Sequence, residues 1–455
     1  MLKSKSTQRI IKEALQPRNI KDDVQESLPL QVLLIVDSIY WVIGNFAEQA
    51  KRRNETINFS VCSAFALEKA LKRFSPLTLP FDVLHYLYGH PIEFHGISLP
   101  TVTTLHHKDS KTKINIFFKS DAVMTVSGQW HSYLMNLGLG QEKALLVPFG
   151  VDILQFTPPT DKERETIRAA LKIPNEAFVV GFSGKSTSDR DNRKDLNCFI
   201  DGLKKLRQNL PNLTTLLVGP GWRNFSKYLI HEGIHCIQSS YHLNHQDISQ
   251  YYRVMDVYWI TSKIEGGPVP LLEAMASGVP CLSTPVGAAL DLIEHGSNGF
   301  ICAFNSPNSF ANLSLKLSQN PSLKRKIGEA GRTTIASNRE WNIIQKKLPM
   351  LYELAIKNFS GGYERQGSFK KITMPTCSSS KGPLPSANLL DSNIQNWIQA
   401  CEHIKGLKMA LKLREWKAAF KLSGLALATS PSDPYVWRDL VKTFIRQCGS
   451  FSSKR

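Results

Sequence analysis

Residues 261–285, T-S-K-I-E-G-G-P-V-P-L-L-E-A-M-A-S-G-V-P-C-L-S-T-P, join two apolar runs. The first run, Val257 to Ile260, reads as a buried strand. Glu265, Gly266 and Gly267 then make a loop. Pro268 and Pro270 suit a loop and a first helical turn, where a missing N–H costs nothing. Leu271 to Ser277 reads as a short helix, Gly278 as its left-handed stop, and Pro280 lies just beyond. Strand, glycine-rich turn, helix and strand in this order predict an open parallel α/β sheet, whose turns bind phosphates. Two carboxylates bracket the turn with seven residues between them. Glu265 sits in the loop, where a ligand's polar edge would arrive. Glu273 is expected in the first helical turn, close enough to the positive helix end to remain ionised. It could accept hydrogen bonds from sugar hydroxyls there, while the N–H groups of Gly266 and Gly267 face phosphate oxygens.

The string from Glu265 to Pro280 resembles the E-x7-E signature of the group 1 (family 4) retaining glycosyltransferases. The likeness continues through Gly287 and the Asn298-Gly299-Phe300 turn, and extends in weaker form over roughly residues 32–357. The resemblance implies an α/β chain of GT-B architecture, two facing Rossmann-like domains, here followed by a C-terminal α-helical extension. It also implies that Glu265 contacts the donor sugar and Glu273 the ribose.

Composition sets the outer bounds. The chain has 455 residues, enough for about two to four domains, with 42% hydrophobic and 21% charged residues. No apolar run is long enough to span a membrane, and the first residues lack a signal-peptide core. Eight cysteines show no C-x-x-C spacing, which favours reduced thiols in a cytoplasmic setting over a disulfide frame or a zinc site. A formal net charge of +18 favours anionic partners: nucleotide diphosphates, acidic lipid surfaces or nucleic acid, among which charge alone does not choose. No aromatic–basic interleaving or recognition module points to nucleic acid.

Residues 1–27 read as a basic tail, with peripheral contact at the inner face of a membrane as a second reading. A first Rossmann-like, acceptor-side domain is expected over 28–152, opening with a strand at Gln31 to Asp37. The loop Ser38 to Asn45 carries one glycine, Gly44, where relatives use a pair to approach the donor phosphate. An amphipathic helix is expected from Phe59 to Phe74, and strands at Phe81 to Tyr88 and Leu99 to Leu105. His106 follows the second strand and would point into the crevice. The resemblance gives it a contact with the donor sugar, and the alternative is a turn histidine bonded to backbone. Residues 145–152, L-L-V-P-F-G-V-D, resemble the family's crossing into the second domain. The first domain is short for this architecture.

The second, nucleotide-sugar-binding domain is expected over 153–358, closed by a long crossover helix at 341–357 and containing a helix from His242 to Met255. Its opening, Ala177 to Thr187, ends like a P-loop, but Val179 stands where the first glycine belongs. Asp189-Arg190-Asp191 is a literal D-x-D, read as solvated loop acids rather than a metal triplet. The resemblance makes this loop the source of two cations for the donor diphosphate. Lys185 takes the first position and Lys194 the second, with Arg190 or Arg193 as substitutes. Asp195 stands where the family has glycine. Such cations would stabilise the charge gathering on the departing nucleotide.

Residues 359–387 read as a linker and 388–448 as helical, followed by a tail at 449–455. Trp416, Ala419, Ala426, Pro431, Trp437, Leu440 and Phe444 fall at tetratricopeptide-like spacings. A plain helical hairpin and a partner-docking repeat both fit. These readings imply a metal-independent, retaining glycosyltransferase, with no cofactor beyond a UDP- or GDP-linked sugar donor and a glycan or lipid-linked acceptor. The alternative is a catalytically weak GT-B domain serving as a scaffold through its helical tail.

Overall fold

The computed structural model describes residues 29–40, 42–73, 77–87, 99–108, 112–186, 192–239, 242, 245–360, 371–372, 387–388, 392–412, 416–431, 433 and 435–443. The expected tails at 1–27 and 449–455 lie outside them. Two six-stranded parallel sheets dominate. The first contains β1 (Leu30–Val36), β2 (Ile57–Ser63), β3 (Val83–Tyr86), β4 (Thr101–Leu105), β5 (Ala122–Thr125) and β6 (Ala144–Leu146). Their spatial order is β2-β1-β3-β4-β5-β6. The second contains β7 (Phe178–Ser183), β8 (Leu213–Val218), β9 (His235–Gln238), β10 (Val257–Ile260), β11 (Cys281–Ser283) and β12 (Phe300–Ile301), in the order β9-β8-β7-β10-β11-β12. The second is the doubly wound order, with the chain reversing direction between β7 and β10.

β1 shows why the first sheet is covered on both sides. Its sequence, L-Q-V-L-L-I-V, is apolar almost throughout, as a doubly buried parallel strand requires. Side chains alternate across the sheet. Val32, Leu34 and Val36 share a core with Phe46, Ala47 and Ala50 of helix α1 (Val42–Arg53) and with Tyr352 and Ala355. Leu33 and Ile35 face helix α2 (Ala64–Arg73) and the C-terminal helices α3 (Ser392–Lys412) and α4 (Trp416–Thr429).

The C-terminal helices are therefore no pendant. Ile394, Trp397, Ile398, Ile404 and Leu407 are buried in one cluster with Leu67 and Leu71 of α2. Gly406 meets the Tyr40 ring so closely that a Cβ there would overlap it. The short first domain thus gains a helical layer from the far end of the chain. Residues 371–372, within the expected linker, pair antiparallel with Leu77–Thr78, and Ala387–Asn388 pair with the same residues in parallel.

Three local expectations change. Residues 59–63, expected to open a helix, instead belong to the edge strand β2: N-F-S-V alternates polar and apolar residues, and Ile57, Phe59 and Cys62 are buried. The crossover helix is interrupted. Trp341–Ile344 is followed by a 3-10 turn at Gln345–Lys347, and the helix resumes at Leu348–Asn358. Pro349, with no N–H to donate, suits only a first turn. Between His242 and Met255 the described helical residues are a 3-10 turn, His245–Ile248, and one turn at Ser249–Tyr252.

The returning segment at 341–358 ties the domains together. Val151 N–H donates to the Arg339 carbonyl at 2.9 Å, the Trp341 and Phe46 rings pack at a tilt with centroids 5.1 Å apart, and Tyr352 hydroxyl meets His85 Nδ1 at 3.0 Å beneath the first sheet.

Candidate active site

The site lies at the C-terminal ends of β7 and β10. β10, buried throughout, delivers the chain into the turn. Thr261 hydroxyl donates to the Lys194 carbonyl at 2.8 Å, and Lys263 N–H donates to the Arg193 carbonyl at 2.7 Å. These bonds fix the loop after β7 against the turn after β10, bringing Arg193 and Lys194 to Glu265. Asp195 makes the bend possible. Its backbone is left-handed, with φ 46 and ψ 58, and its side chain caps the next helix by accepting from Cys198 N–H. Glycine is the usual occupant of such a conformation.

Glu265 is mostly buried, with its side chain 12% exposed, and is fully engaged. It accepts from Arg193 at 2.8 Å, from Ser262 hydroxyl at 2.9 Å and from Lys194 at 3.5 Å. Burial alone would raise its pKa, but Lys194 and Arg193 outweigh it and hold the carboxyl down to about 2. The cations expected on a diphosphate are thus neutralised by the acid expected on a sugar. Lys185 points elsewhere, with its Nζ 3.7 Å from Met409 Sδ of α3 and close enough to Asp37 to stabilise that carboxylate. Arg190, Asp189 and Asp191 lie outside the described residues.

Glu273 falls on the fifth residue of a helix beginning at Val269, not in its first turn. It is buried, and both its oxygens are occupied. One accepts from His245 at 2.5 Å and the other from Tyr252 hydroxyl at 2.5 Å. Burial works to lower the His245 pKa, but the Glu273 carboxylate prevails and raises it. Nothing in the sequence singled out His245. Tyr252 sat in a region read only as helix.

The two glycines serve close approach. A Cβ on Gly266 would collide with the His106 carbonyl, and one on Gly267 would press on Phe149. Gly287, with φ 46, lies against the Gly266 carbonyl, which accepts from Ala288 N–H at 2.8 Å. Trp130, from the first domain, donates to the Glu265 main-chain carbonyl at 2.8 Å. Gln129 accepts from Gly287 N–H at 2.6 Å. The motif turn is thus roofed directly by the first domain.

His106 does reach the crevice, but its Nε2 donates to the Leu87 carbonyl at 2.5 Å and its ring packs on Phe149. Burial depresses its pKa to about 4, so it is neutral at ordinary pH. Gly44 lies inside α1 rather than in a loop, with its α-carbon against the Ile39 backbone. A cavity of about 50 Å³ lies between Glu265, Lys194, Ser183, Tyr258 and Pro268. Among the described residues, no three His, Cys, Asp or Glu side chains gather to hold a metal, and no helix is long and apolar enough to cross a membrane.

Sequence reading also missed a group on the first-domain side. Asp37, ending β1, faces Lys405 of α3 as well as Lys185. Glu402 accepts from Ser63 N–H at 2.5 Å, and burial raises the pKa of both acids. Only the fold brings residues 37 and 402 together.

Residues 163–334 match the family described as Glycosyl transferases group 1. N-acetyl-alpha-D-glucosaminyl L-malate synthase of Bacillus anthracis is 31% identical over 121 residues, 26% of this chain and 32% of that protein. The GDP-mannose-dependent monoacylated alpha-(1-6)-phosphatidylinositol monomannoside mannosyltransferase of Corynebacterium glutamicum is 22% identical over 210 residues, 44% of this chain and 54% of that protein. The capsular polysaccharide biosynthesis glycosyltransferase CapM of Staphylococcus aureus is 24% identical over 257 residues, 55% and 65% respectively. The matches to these curated relatives span between about a third and just under two thirds of their lengths. Anabaena HepE, solved with UDP and glucose, superposes with a TM-score of 0.57 at 16% identity, covering 70% of this chain and 98% of that one. Sucrose-phosphate synthase of Thermosynechococcus elongatus gives 0.56 at 15%, covering 71% and 98%. Residues 163–334 thus resemble a group 1 glycosyltransferase domain, and the whole has a GT-B architecture of two Rossmann-like domains with a helical C-terminal region.

Proposed function

We propose that this protein is a metal-independent, retaining glycosyltransferase that moves a sugar from a UDP- or GDP-linked donor to a hydroxyl of a glycan or lipid-linked acceptor, in the cytoplasm. One observation carries the reading: Glu265, Arg193 and Lys194 gather on a glycine turn at the strand ends of the second sheet. A donor diphosphate would take over the two cations, releasing Glu265 toward the sugar hydroxyls. Lys185 would turn from α3 to the same phosphates, and the N–H groups of Gly266 and Gly267 would complete the anion site. Glu273 would exchange its His245 or Tyr252 bond for the ribose hydroxyls, and His106 would meet the sugar from the first domain. Retention would follow front-face attack in which the leaving phosphate takes the acceptor's proton, so no separate base is assigned. A cavity of about 50 Å³, walled by second-domain residues, is far below the roughly 300 Å³ or more of small-molecule sites, so a donor would extend beyond it into the space between the domains, where closure would exclude water. The UDP held by HepE and the GDP-mannose dependence named for the Corynebacterium relative support the two donor classes.

The test is a panel of UDP-, GDP- and ADP-sugars scored by thermal shift, then by transfer, since a ligand of the native state raises apparent stability. A matching donor should raise the midpoint in the intact protein, less in Glu273→Ala, and Lys185→Ala should slow turnover without lowering the midpoint. The scaffold reading draws on Gly44, which packs against Ile39 backbone, and on the docked, tetratricopeptide-like helices. It expects no shift with any donor.

A further inference from the structure

Another cavity lies between α2 and the C-terminal helices. α2 leaves the C-terminal end of β2 at Ala64 and runs back along the sheet, so its last residues sit about 15 Å toward the opposite edge. There Lys69, Lys72 and Arg73 line a cavity of about 330 Å³, together with Trp397, Cys401 and Ile404 of α3 and Tyr435, Val436, Arg438 and Asp439 of the final helical turns.

Its wall has two kinds of chemistry. The floor is apolar: Cys401, Ile404 and Val436 are buried. Arg73 is a fixed strut, forked onto Asp433 at 2.7 and 3.2 Å and lying 4.1 Å from the Tyr435 ring. Lys69 is paired with Asp439. Lys72 and Arg438 are exposed at the mouth. Lys72 meets Glu68 on its own exposed helical face, and Arg438 lies over Tyr435 at 4.6 Å. Four cations and one carboxylate thus line the space. Two rings, the half-exposed Tyr435 and the buried Trp397, also line it. Cations at the mouth, aromatic rings beside them and an apolar floor fit a molecule with a negatively charged head and an apolar body.

We propose that this cavity binds a phosphate-bearing amphiphile, with the phosphate between Lys72 and Arg438 and the apolar part over Ile404 and Val436. The site is independent of the donor cleft and stands whether or not the chain transfers sugars. A dispersed lipid and a membrane surface both present such a head group, and the experiment separates these.

Full-length protein is titrated with dihexanoyl phosphatidic acid and with inorganic phosphate, followed by isothermal calorimetry. It is then sedimented with phosphatidylcholine vesicles with and without about one-third phosphatidylglycerol. Saturable binding of the short-chain lipid is expected, at least about tenfold weaker in Lys72→Gln/Arg438→Gln and unchanged in Lys316→Gln/Lys326→Gln on the second domain. Both cations are exposed, so the variants should keep the parent melting midpoint, which is measured alongside. Sedimentation with the anionic vesicles would identify a membrane source, and binding of the dispersed lipid without sedimentation a soluble one. Equal weakening by the second-domain pair, equal binding by the cavity variant, or binding of inorganic phosphate as tight as the lipid would overturn the proposal.

Discussion

Glu265 is a carboxylate whose charge is maintained against burial by two neighbours, and this has a definite pH signature. Its pKa falls from 4.5 to about 2 on folding, so its stabilising effect is complete above the unfolded value and disappears as pH drops through the folded one. Unfolding free energy should therefore decline between about pH 5 and pH 2 in the parent and more gently in Glu265→Gln, as urea titrations at stepped pH would show. The variant should also be less stable at neutral pH, because Arg193 and Lys194 lose their partner. A slope unchanged by the substitution would mean the ion cluster does not form. Glu273 is a different case. Glu273→Ala leaves the buried Tyr252 hydroxyl and the partly exposed His245 without their acceptor, a loss of about 2–3 kcal/mol, whereas Glu273→Gln preserves one acceptor and should recover part of it. Denaturant midpoints of the two variants decide this.

Among the elements, the motif turn was the most legible. Gly266, Gly267, Gly278 and the flanking prolines each impose a backbone constraint that acts locally, so strand, turn and helix follow from neighbouring residues alone. The same locality explains the strands at 30–36 and 213–218, each carrying a short apolar run, Val32 to Val36 and Leu216 to Val218. It also explains two misreadings. Residues 59–63 contain both alternation and helix-compatible spacing, and only pairing with β1 settles them as strand. Glu273 looked like a helix-end acid because the helix start was placed two residues late. What no local pattern held was the partner of each surface: His245 beneath Glu273, or α3 against the first sheet. Gly266 supplies the sharpest element-scale test, since its α-carbon has no room for a methyl group beside the His106 carbonyl. Gly266→Ala should force the domains apart at the turn and abolish closure-dependent transfer while each sheet remains folded. Activity loss with unchanged far-ultraviolet circular dichroism is the expected outcome, and retained turnover would contradict the close approach.

For the whole molecule, the decisive feature is that one core runs through both domains. The cluster containing Val32 and Phe46 of the first domain continues through Phe149 and Trp341 to Leu271 and Ala288 of the second. Trp341 is its keystone, packed on Phe46 and against the α-carbon of Gly150. Arg53 and Asp152 add an ion pair at 2.5 Å beside it. Partly exposed, such a pair is worth little, so apolar packing has to supply most of the coupling. Each sheet has in addition a cluster of its own: Leu33, Ile35 and α3 in the first domain, Phe199, Trp222 and Trp259 in the second. Coupling and autonomy can then be separated experimentally. Calorimetry of the parent should give one transition, because unfolding either domain exposes the shared core. Trp341→Ala should cost about 3–5 kcal/mol, the usual penalty for emptying a large buried aromatic site, and should split the transition in two as each sheet falls back on its own cluster. A single transition merely shifted downward would mean that the returning segment at 341–358 is not what joins the halves, and that the contacts of Trp130 and Gln129 with the motif turn carry the coupling instead.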